Sequence, residues 1–415
     1  MSKPATIALR YGRGSLEFAL PALAEILHHR EPTPSVSFAT FARGLADLLP
    51  ATIPTGPVVI VVADKTRLCG YPLVLPWLVE LLGKHGVARD RIVFLIAYGN
   101  HRPQSVAESL AAYGPIYCDF PFIHHCSTDP GVFVDLGKTS RGTPVRVRKE
   151  LLTAGLILTL GAISHHYFAG FGGGRKLLFP GLGEQKAIAC NHRLFLDSHR
   201  RTLAAGCRPG QLADNPLAAD LAEVNGRLPP YLSIHGLLDS NGQVAAFRFG
   251  RNYNDFLQVC HEHDQHYRAD RAGQFDLVLA SAGGYPKDIN MIQAHKAIDN
   301  AAAFVRDQGT LIVLAECADG IGSTTFLPYF ELGGWDQAFD RLAADYCGNG
   351  GTALALMAKT RRITISLVTA LAPDLCRRIG VSRLSRDQVA RRLPLAHQGL
   401  AVISNSSLLI RSNNA

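Results

Sequence analysis

The stretch His165-His166-Tyr167-Phe168-Ala169-Gly170-Phe171-Gly172-Gly173-Gly174-Arg175-Lys176, followed by Asn191-His192, sets two imidazoles, a glycine-rich turn, a lysine and a third imidazole within 28 residues. Imidazoles titrate near neutral pH and bind transition metals, so the grouping offers proton transfer or metal chemistry. Three consecutive glycines cost backbone entropy in any regular element. A chain that keeps them is expected to need close approach of its backbone to a ligand, or N–H donors aimed at an anion. The neighbouring lysine then stands where a phosphate or a reactive carbonyl group would meet it. A nucleoside-triphosphate loop is the obvious comparison, but the run Gly170 to Leu177 lacks the Ser or Thr that follows the lysine and holds magnesium in such loops.

Other short blocks surround this segment. They are Asp64-Lys65-Thr66-Arg67, Gly99-Asn100-His101-Arg102, Gly283-Gly284-Tyr285-Pro286-Lys287-Asp288, Gln293-Ala294-His295-Lys296 and the turn from Ala315 to Gly320. As an ordered set they resemble the nickel-dependent lactate racemases and their 2-hydroxyacid racemase and epimerase relatives. The resemblance implies two α/β domains with largely parallel sheets and an active site in the interdomain cleft. It also implies a nickel-pincer nucleotide, the pyridinium-3,5-bisthiocarboxylic acid mononucleotide complex of nickel. By position, Lys176 is implied to tether that cofactor through a thioamide and His192 to ligate the metal. Asp64, Thr66 and Arg67, with Gly173 and Gly174, are implied to hold the rest of the nucleotide. His101 and His166 match the opposing general acid/base pair, and Gln293 and Lys296, with Arg67, match the substrate-binding groups. The implied partners are a small 2-hydroxyacid and, transiently, the proteins that build the cofactor.

That chemistry makes physical sense of the residue types. The hydrogen on C2 of a 2-hydroxyacid is poorly acidic, so it leaves most readily as hydride to an acceptor while a base takes the hydroxyl proton. Return to either face of the planar 2-oxoacid gives both enantiomers. Such a scheme needs an electrophilic cofactor, a base on each side and a cationic clamp for the carboxylate. Two departures bear on the substrate: Ile292 stands where the lactate enzymes have a tyrosine, and Gly350 to Leu356 lacks an expected histidine and aromatic residue. They point to a bulkier or more polar substrate than lactate, or to another residue taking over the packing.

Two rival readings use the same residues. A zinc hydrolase would take His101, His166 and His192 as three ligands with a bound water. A non-catalytic binder of an anionic nucleotide would need Lys176 and Arg67 and tolerate loss of the histidines. His165 is an adjacent alternative to His166, and Asp64 and Thr66 could instead cap a helix start. Glu316, Cys317 and Asp319 read as groups that shape the cleft. The run Cys260 to His266 is rich in metal-ligand types but reads as a solvated helix face.

These residues need a scaffold, and the sequence supplies one. Val58 to Ala63, Ile92 to Ala97, Leu156 to Leu160, Leu277 to Ala280 and Leu311 to Ala315 are apolar, β-branched runs that end abruptly, as buried parallel strands do. Pro72 to His85 reads as a helix, and Phe304 to Gly309 as a helix end. Each motif begins just after one of the strands, where ligands bind in open α/β sheets. A chain of 415 residues suits two domains, expected here as 1–268 for the cofactor and 272–415 for the substrate. The boundary falls in the polar stretch Tyr267 to Gln274, and the tail Ser404 to Ala415 is expected to return to the first domain. A net charge of +8 favours an anionic partner. Arginines dispersed along the chain, with no basic helix interleaved with aromatics, argue against nucleic acid. Nine cysteines without a Cys-x-x-Cys pair argue against a disulfide framework or zinc ribbon. No apolar run reaches 18 residues and no signal-peptide pattern opens the chain, so a cytoplasmic protein is expected, with no membrane association.

Overall fold

The structure, a computed structural model, describes residues 5–269, 273–395 and 399–412. The fold is α/β, as expected, and the chain divides into two compact units. One unit gathers Glu31–Leu194 and Ala205–His266 around a six-stranded sheet. From one edge to the other its strands are Val244–Gly250, Leu232–Leu238, Leu156–Ala162, Val58–Ala63, Ile92–Ala97 and Phe122–His124. Only the first pairing is antiparallel. Every residue of Val58–Ala63 is buried, which is why this strand reads as an unbroken apolar run: helices cover both faces of a parallel sheet and leave no polar side.

The other unit holds the chain up to Arg30, Phe195–Ala204 and the segment from Tyr267 onward. The six strands of its main sheet are all parallel, in the order Ser382–Arg383, Thr364–Val368, Val305–Leu314, Phe275–Ser281, Leu400–Ile403 and Glu25–Leu27. The chain changes unit at Tyr267, close to the expected boundary; the difference from the expected 1–268 is that the chain up to Arg30 and Phe195–Ala204 group with the later segment. Glu25–Leu27 extends the sheet by pairing with Leu400–Ile403. The hairpin Ala5–Tyr11 and Gly14–Leu20 buries Leu9, Phe18 and Leu20 against Leu277, Leu279, Ile312 and Leu314. Each such side chain contributes about 1.5–3 kcal/mol on leaving water, so the N-terminal segment is bound to the sheet it covers rather than to its neighbours in sequence. The tail is corrected too: Ile410–Arg411 pairs with Arg268–Ala269 and stays in this unit. Residues 270–272 of the expected boundary and 413–415 of the tail lie outside the described residues.

Phe304 to Gly309 is not a helix end. The preceding helix, Met291–Ala302, stops short of it, and Val305 already begins a ten-residue strand. Arg306, Asp307 and Gln308 are exposed, with Gln308 at φ +62° and the register shifting alongside. This polar bulge hides the strand's pattern from a reading of apolar periodicity.

Candidate active site

Three neighbouring strands, Ile92–Ala97, Val58–Ala63 and Leu156–Ala162, each end in one of the singled-out segments. Asp64 leaves the central strand in a tight turn, its Oδ1 accepting from the Thr66 backbone N–H at 2.8 Å and the Thr66 hydroxyl at 2.6 Å. The helix that follows starts only at Tyr71 and its N-cap is Gly70, so Asp64 and Thr66 do not cap it. The second oxygen, Oδ2, accepts from His101 Nδ1 at 2.6 Å. His101 is 54% exposed at its side chain while Asp64 is 4% exposed, so a buried carboxylate holds an imidazole whose far side faces outward. Burial pushes the Asp64 carboxyl up, but the His101 hydrogen bond and charge and the two Thr66 donors outweigh it, and it lies below the usual carboxylate range.

A stability prediction follows. A carboxylate whose folded pKa lies below its unfolded value, about 3.9, stabilises the fold above that value and stops doing so as pH falls through the folded pKa. Asp64→Asn should cost about 1–3 kcal/mol at pH 7, the usual range for a lost buried, charged hydrogen-bond partner. The melting-temperature gap between native protein and variant should then narrow between pH 5 and pH 3. An equal gap at all pH values would show that the carboxylate is not paired in the fold.

The next strand end carries His165 and His166 on the short strand Ser164–His166, which pairs with Gly170–Gly172. Alternation along a strand sends adjacent side chains to opposite faces, and the two histidines divide accordingly. His165 Nε2 lies 2.6 Å from Asp264 Oδ1, with its ring edge-on to the buried His263. His166 Nδ1 accepts from the backbone N–H of Ala169 at 3.3 Å and of Phe168 at 3.5 Å. The helix Tyr253–Tyr267 is therefore not merely a solvated face. Phe256, Val259, Cys260 and His263 turn inward and pack near Phe171, while His261 stays exposed.

Phe168, which sequence reasoning passed over, sits at the centre of the second group. Its ring is 4.5 Å from that of His166 and 5.0 Å from that of His192, both edge-on, and the Lys176 ammonium lies 5.5 Å above it. The signal was available, as an aromatic two residues after His166. Lys176 keeps partial solvent access, yet its ammonium is densely surrounded by protein. Burial first, then repulsion from Arg67 and Arg175, hold its pKa well below the ordinary lysine range. Burial, and secondarily Lys176, push the His192 imidazole down to about 3, so it is neutral.

The glycines answer to a structural requirement as well. A Cβ at Gly170 would overlap the Gln211 carbonyl, one at Gly173 the Ala162 carbonyl, and one at Gly174 the Phe256 ring. All three have positive φ, at +75°, +75° and +51°. The chain's packing on itself is by itself enough to require glycine at these three positions. Gly173→Ala joins a left-handed backbone to a backbone clash and should cost about 3 kcal/mol or more. That predicts a melting temperature lower by several degrees, or insoluble protein, where Gly142→Ala, with nothing near its Cβ, should cost no more than the φ penalty of about 1–2 kcal/mol.

Of the expected substrate residues, Arg67 lies beside Asp64 and Thr66, and Gln293 and Lys296 lie in the other unit, on the helix Met291–Ala302. Asn290 caps it by accepting from the Gln293 N–H, and Lys296 Nζ donates to Gln293 Oε1 at 2.7 Å, so the two share a face as the three-residue spacing implied. The Gly283 to Asp288 and Ala315 to Gly320 blocks hold each other and the N-terminal hairpin. Asp288 Oδ2 accepts from the Gly12 and Glu316 N–H groups, the Cys317 N–H donates to the Asp288 carbonyl, and the Arg13 guanidinium lies 4.0 Å over the Tyr285 ring. The glycines that begin the helix Gly350–Thr360 leave room for tyrosines: a Cβ at Gly350 would meet the Tyr329 ring and one at Gly351 the Tyr346 hydroxyl. Aromatic packing there comes from neighbouring segments.

The three-histidine zinc set is not assembled. Among the described residues no group of three or more His, Cys, Asp or Glu side chains could hold a metal ion. Nor is any helix among them long and apolar enough to cross a membrane.

Residues 42–204 match the family model described as the lactate racemase N-terminal domain, and residues 271–341 the lactate racemase C-terminal domain. The chain is 29% identical over 277 residues to a lactate racemase of Thermoanaerobacterium thermosaccharolyticum, and 30% identical over 272 residues to one of Lactiplantibacillus plantarum. These alignments cover 66% and 65% of this chain, and the chain spans 63% and 62% of the length of those relatives. The fold is similar to that of the lactate racemase apoprotein from Thermoanaerobacterium thermosaccharolyticum, with a TM-score of 0.88 and 24% identity over 99% of this chain and 100% of the other. A protein from Thermotoga maritima is more distantly similar, with a TM-score of 0.68 and 16% identity over 92% of this chain and 100% of the other. With both domain models matched in order along one chain, this protein belongs to the lactate racemase family.

Proposed function

We propose that the chain is a racemase or epimerase of a 2-hydroxycarboxylic acid that works with a nickel-pincer nucleotide. The observation that carries this reading is the grouping in one unit of a crowded lysine, disfavoured as ammonium, with a neutral histidine and two further imidazoles held in opposite hydrogen-bonding senses. The residues present fit the cofactor. Lys176 as a free amine is the form that condenses with a thiocarboxyl group, and Arg67 and Arg175 add positive charge suited to an anionic nucleotide. A single neutral histidine, His192, is a sufficient protein contribution to nickel when the other donors come with the cofactor. The zinc alternative would need several protein ligands at one point.

Bound there, the cofactor supplies an electrophile that takes and returns a hydride. The protein's part is the proton and the placement. Asp64 accepts from His101 Nδ1–H, so a neutral His101 presents the lone pair of Nε2 as a base. His166 accepts at Nδ1, so in its neutral form it carries its proton on Nε2 and presents an acid. One group ready to take a hydroxyl proton and one ready to give one are what interconversion of enantiomers requires. In the other unit, Lys296 with Gln293 beside it suits a carboxylate. Asp64, an anion already engaged by His101 and Thr66, serves better to orient His101 than to contact phosphate.

The test is to co-produce the protein with cofactor-building proteins and nickel, then follow single enantiomers of lactate and of larger 2-hydroxyacids by chiral chromatography. Interconversion of at least one acid, with little exchange of its C2 hydrogen in heavy water, is expected. A nickel-loaded protein that interconverts none of them would overturn the reading.

A further inference from the structure

We propose that His124 is a positioning residue for His101, acting through the Tyr98 hydroxyl to fix the loop that carries the base. This inference rests on the role given to His101 above. His124 ends the edge strand Phe122–His124 and lies in no motif. Both ring nitrogens are engaged, Nδ1 with the Tyr98 hydroxyl at 2.8 Å and Nε2 with the Tyr117 hydroxyl at 3.0 Å.

The donor count fixes the direction of these bonds. Tyr98 is 3% exposed, and its oxygen already accepts from the Gln104 backbone N–H at 3.2 Å. Among the described residues, the acceptor for its own hydrogen is His124 Nδ1. Nδ1 must therefore be the bare nitrogen, and Nε2–H donates to Tyr117. Protonation of Nδ1 would leave a buried hydroxyl hydrogen without its acceptor, which disfavours that form. Burial also holds the His124 pKa below the ordinary histidine value, which keeps this form in place near neutral pH.

Tyr98 closes the loop around His101 from both sides. Its carbonyl accepts from the His101 N–H at 3.0 Å, in a turn that Gly99 makes at φ +55°, and its hydroxyl holds Gln104 three residues past His101. The Gln104 side chain then accepts from the Lys65 N–H at 3.0 Å and donates to Ser109 Oγ at 3.1 Å. The relay therefore runs from His124 through Tyr98 and Gln104 to the turn that presents Asp64, the partner of His101. A rotated Tyr98 side chain would keep its carbonyl on the His101 N–H but release Gln104, and with it the Lys65 contact beside Asp64.

The experiment compares His124→Asn, whose amide oxygen takes the place of Nδ1 as acceptor, with His124→Gln, which keeps a donor toward Tyr117 and loses that acceptor, and with Tyr98→Phe. Ring-nitrogen NMR of the full chain without cofactor reads the His124 tautomer and the His101 Nδ1–H signal. Turnover of the loaded enzyme gives kcat and KM separately. The expected result is a His124 proton on Nε2 in native protein and a sharp His101 Nδ1–H in both native protein and His124→Asn, with kcat within about twofold of each other. His124→Gln and Tyr98→Phe should lose or shift that signal and lower kcat by about tenfold or more, with KM nearly unchanged, as misplacement of a base does. An unchanged His101 signal in His124→Gln would overturn the inference. So would equal losses in His124→Asn and His124→Gln that merely track their melting temperatures. The NMR arm needs neither cofactor nor substrate, so it decides the positioning role even if no 2-hydroxyacid is turned over.

Discussion

Lys176→Ala, co-produced with the cofactor-building proteins and nickel, should have the intact mass of the bare chain, whereas the native protein should carry an added mass that maps to the peptide containing Lys176. Racemisation should fall by about 10³-fold or more, since the effective molarity of a held cofactor is forfeited. The argument starts from the protonation state of the amine. An exposed lysine is an ammonium near neutral pH and a poor nucleophile; to condense with a thiocarboxyl group it must lose its proton. At Lys176, burial removes the water that would stabilise the charge, and the cations of Arg67 and Arg175 disfavour it further. The same arrangement is costly for a lysine that merely pairs with phosphate, because such a lysine works as a cation. Lys176→Arg separates the two roles. Arginine keeps the charge and much of the volume but does not deprotonate, so it should also lack the added mass and the activity. A Lys176→Arg variant that retained activity would show the lysine to be a phosphate contact. An active native protein without added mass would show the cofactor to be held without a bond.

What the sequence made legible follows from how each feature is encoded. The strands Val58–Ala63 and Ile92–Ala97 were read residue for residue, because burial on both faces of a parallel sheet leaves a pattern that needs no knowledge of the partner strand. The loops after the strands were legible for the same reason, as polar turns at the ends of apolar runs. The strand Val305–Leu314 was not, since its polar bulge interrupts the run. Nor was the place of the first 30 residues, because the pairing of Glu25–Leu27 with Leu400–Ile403 joins positions nearly the whole chain apart. At the site, the residue types were visible but their partners were not. Asp64 reads equally as a helix cap, a ligand contact or an orienting group until His101 Nδ1 is found against it. The glycines of the Gly172-Gly173-Gly174 run suggested a ligand cradle, and part of what they accommodate is the chain itself. The sequence registers a need for absent side chains and does not say what fills the space.

The proposed acid/base pair carries the other large effect. His101→Ala and His166→Ala should each lower kcat by about 10²–10⁴-fold, the range for loss of a positioned general acid or base, with nickel content and added mass unchanged. The structural cost of the first should be small, because His101 is more than half exposed and water can take its place at the Asp64 carboxylate. His166 packs on Tyr167 and Phe168, so His166→Gln, which preserves more of the volume, is the better companion to its alanine variant. Microscopic reversibility sharpens the test. Both directions of a racemisation pass through the same groups in reverse order, and two enantiomers have equal free energy, so the ratio of kcat/KM for the two directions must remain one in every variant. Each substitution must therefore slow both directions alike, whichever enantiomer its histidine serves first. Because that equality holds whatever the role of the substituted group, the sign of an opposing acid/base pair is a large loss of kcat in both variants with metal retained. Loss of metal in both variants would make them ligands and revive the zinc reading, and a variant of either histidine with nearly native kcat would remove that residue from the proton transfer. Asp64→Asn is the bridge between the two observations. The amide cannot accept from His101 Nδ1–H with the strength of a carboxylate and can donate to Nδ1 instead, turning the imidazole to the tautomer whose Nε2 carries a proton. His101 would then present an acid where a base is needed, and kcat should fall by about 10²-fold or more while KM stays nearly constant.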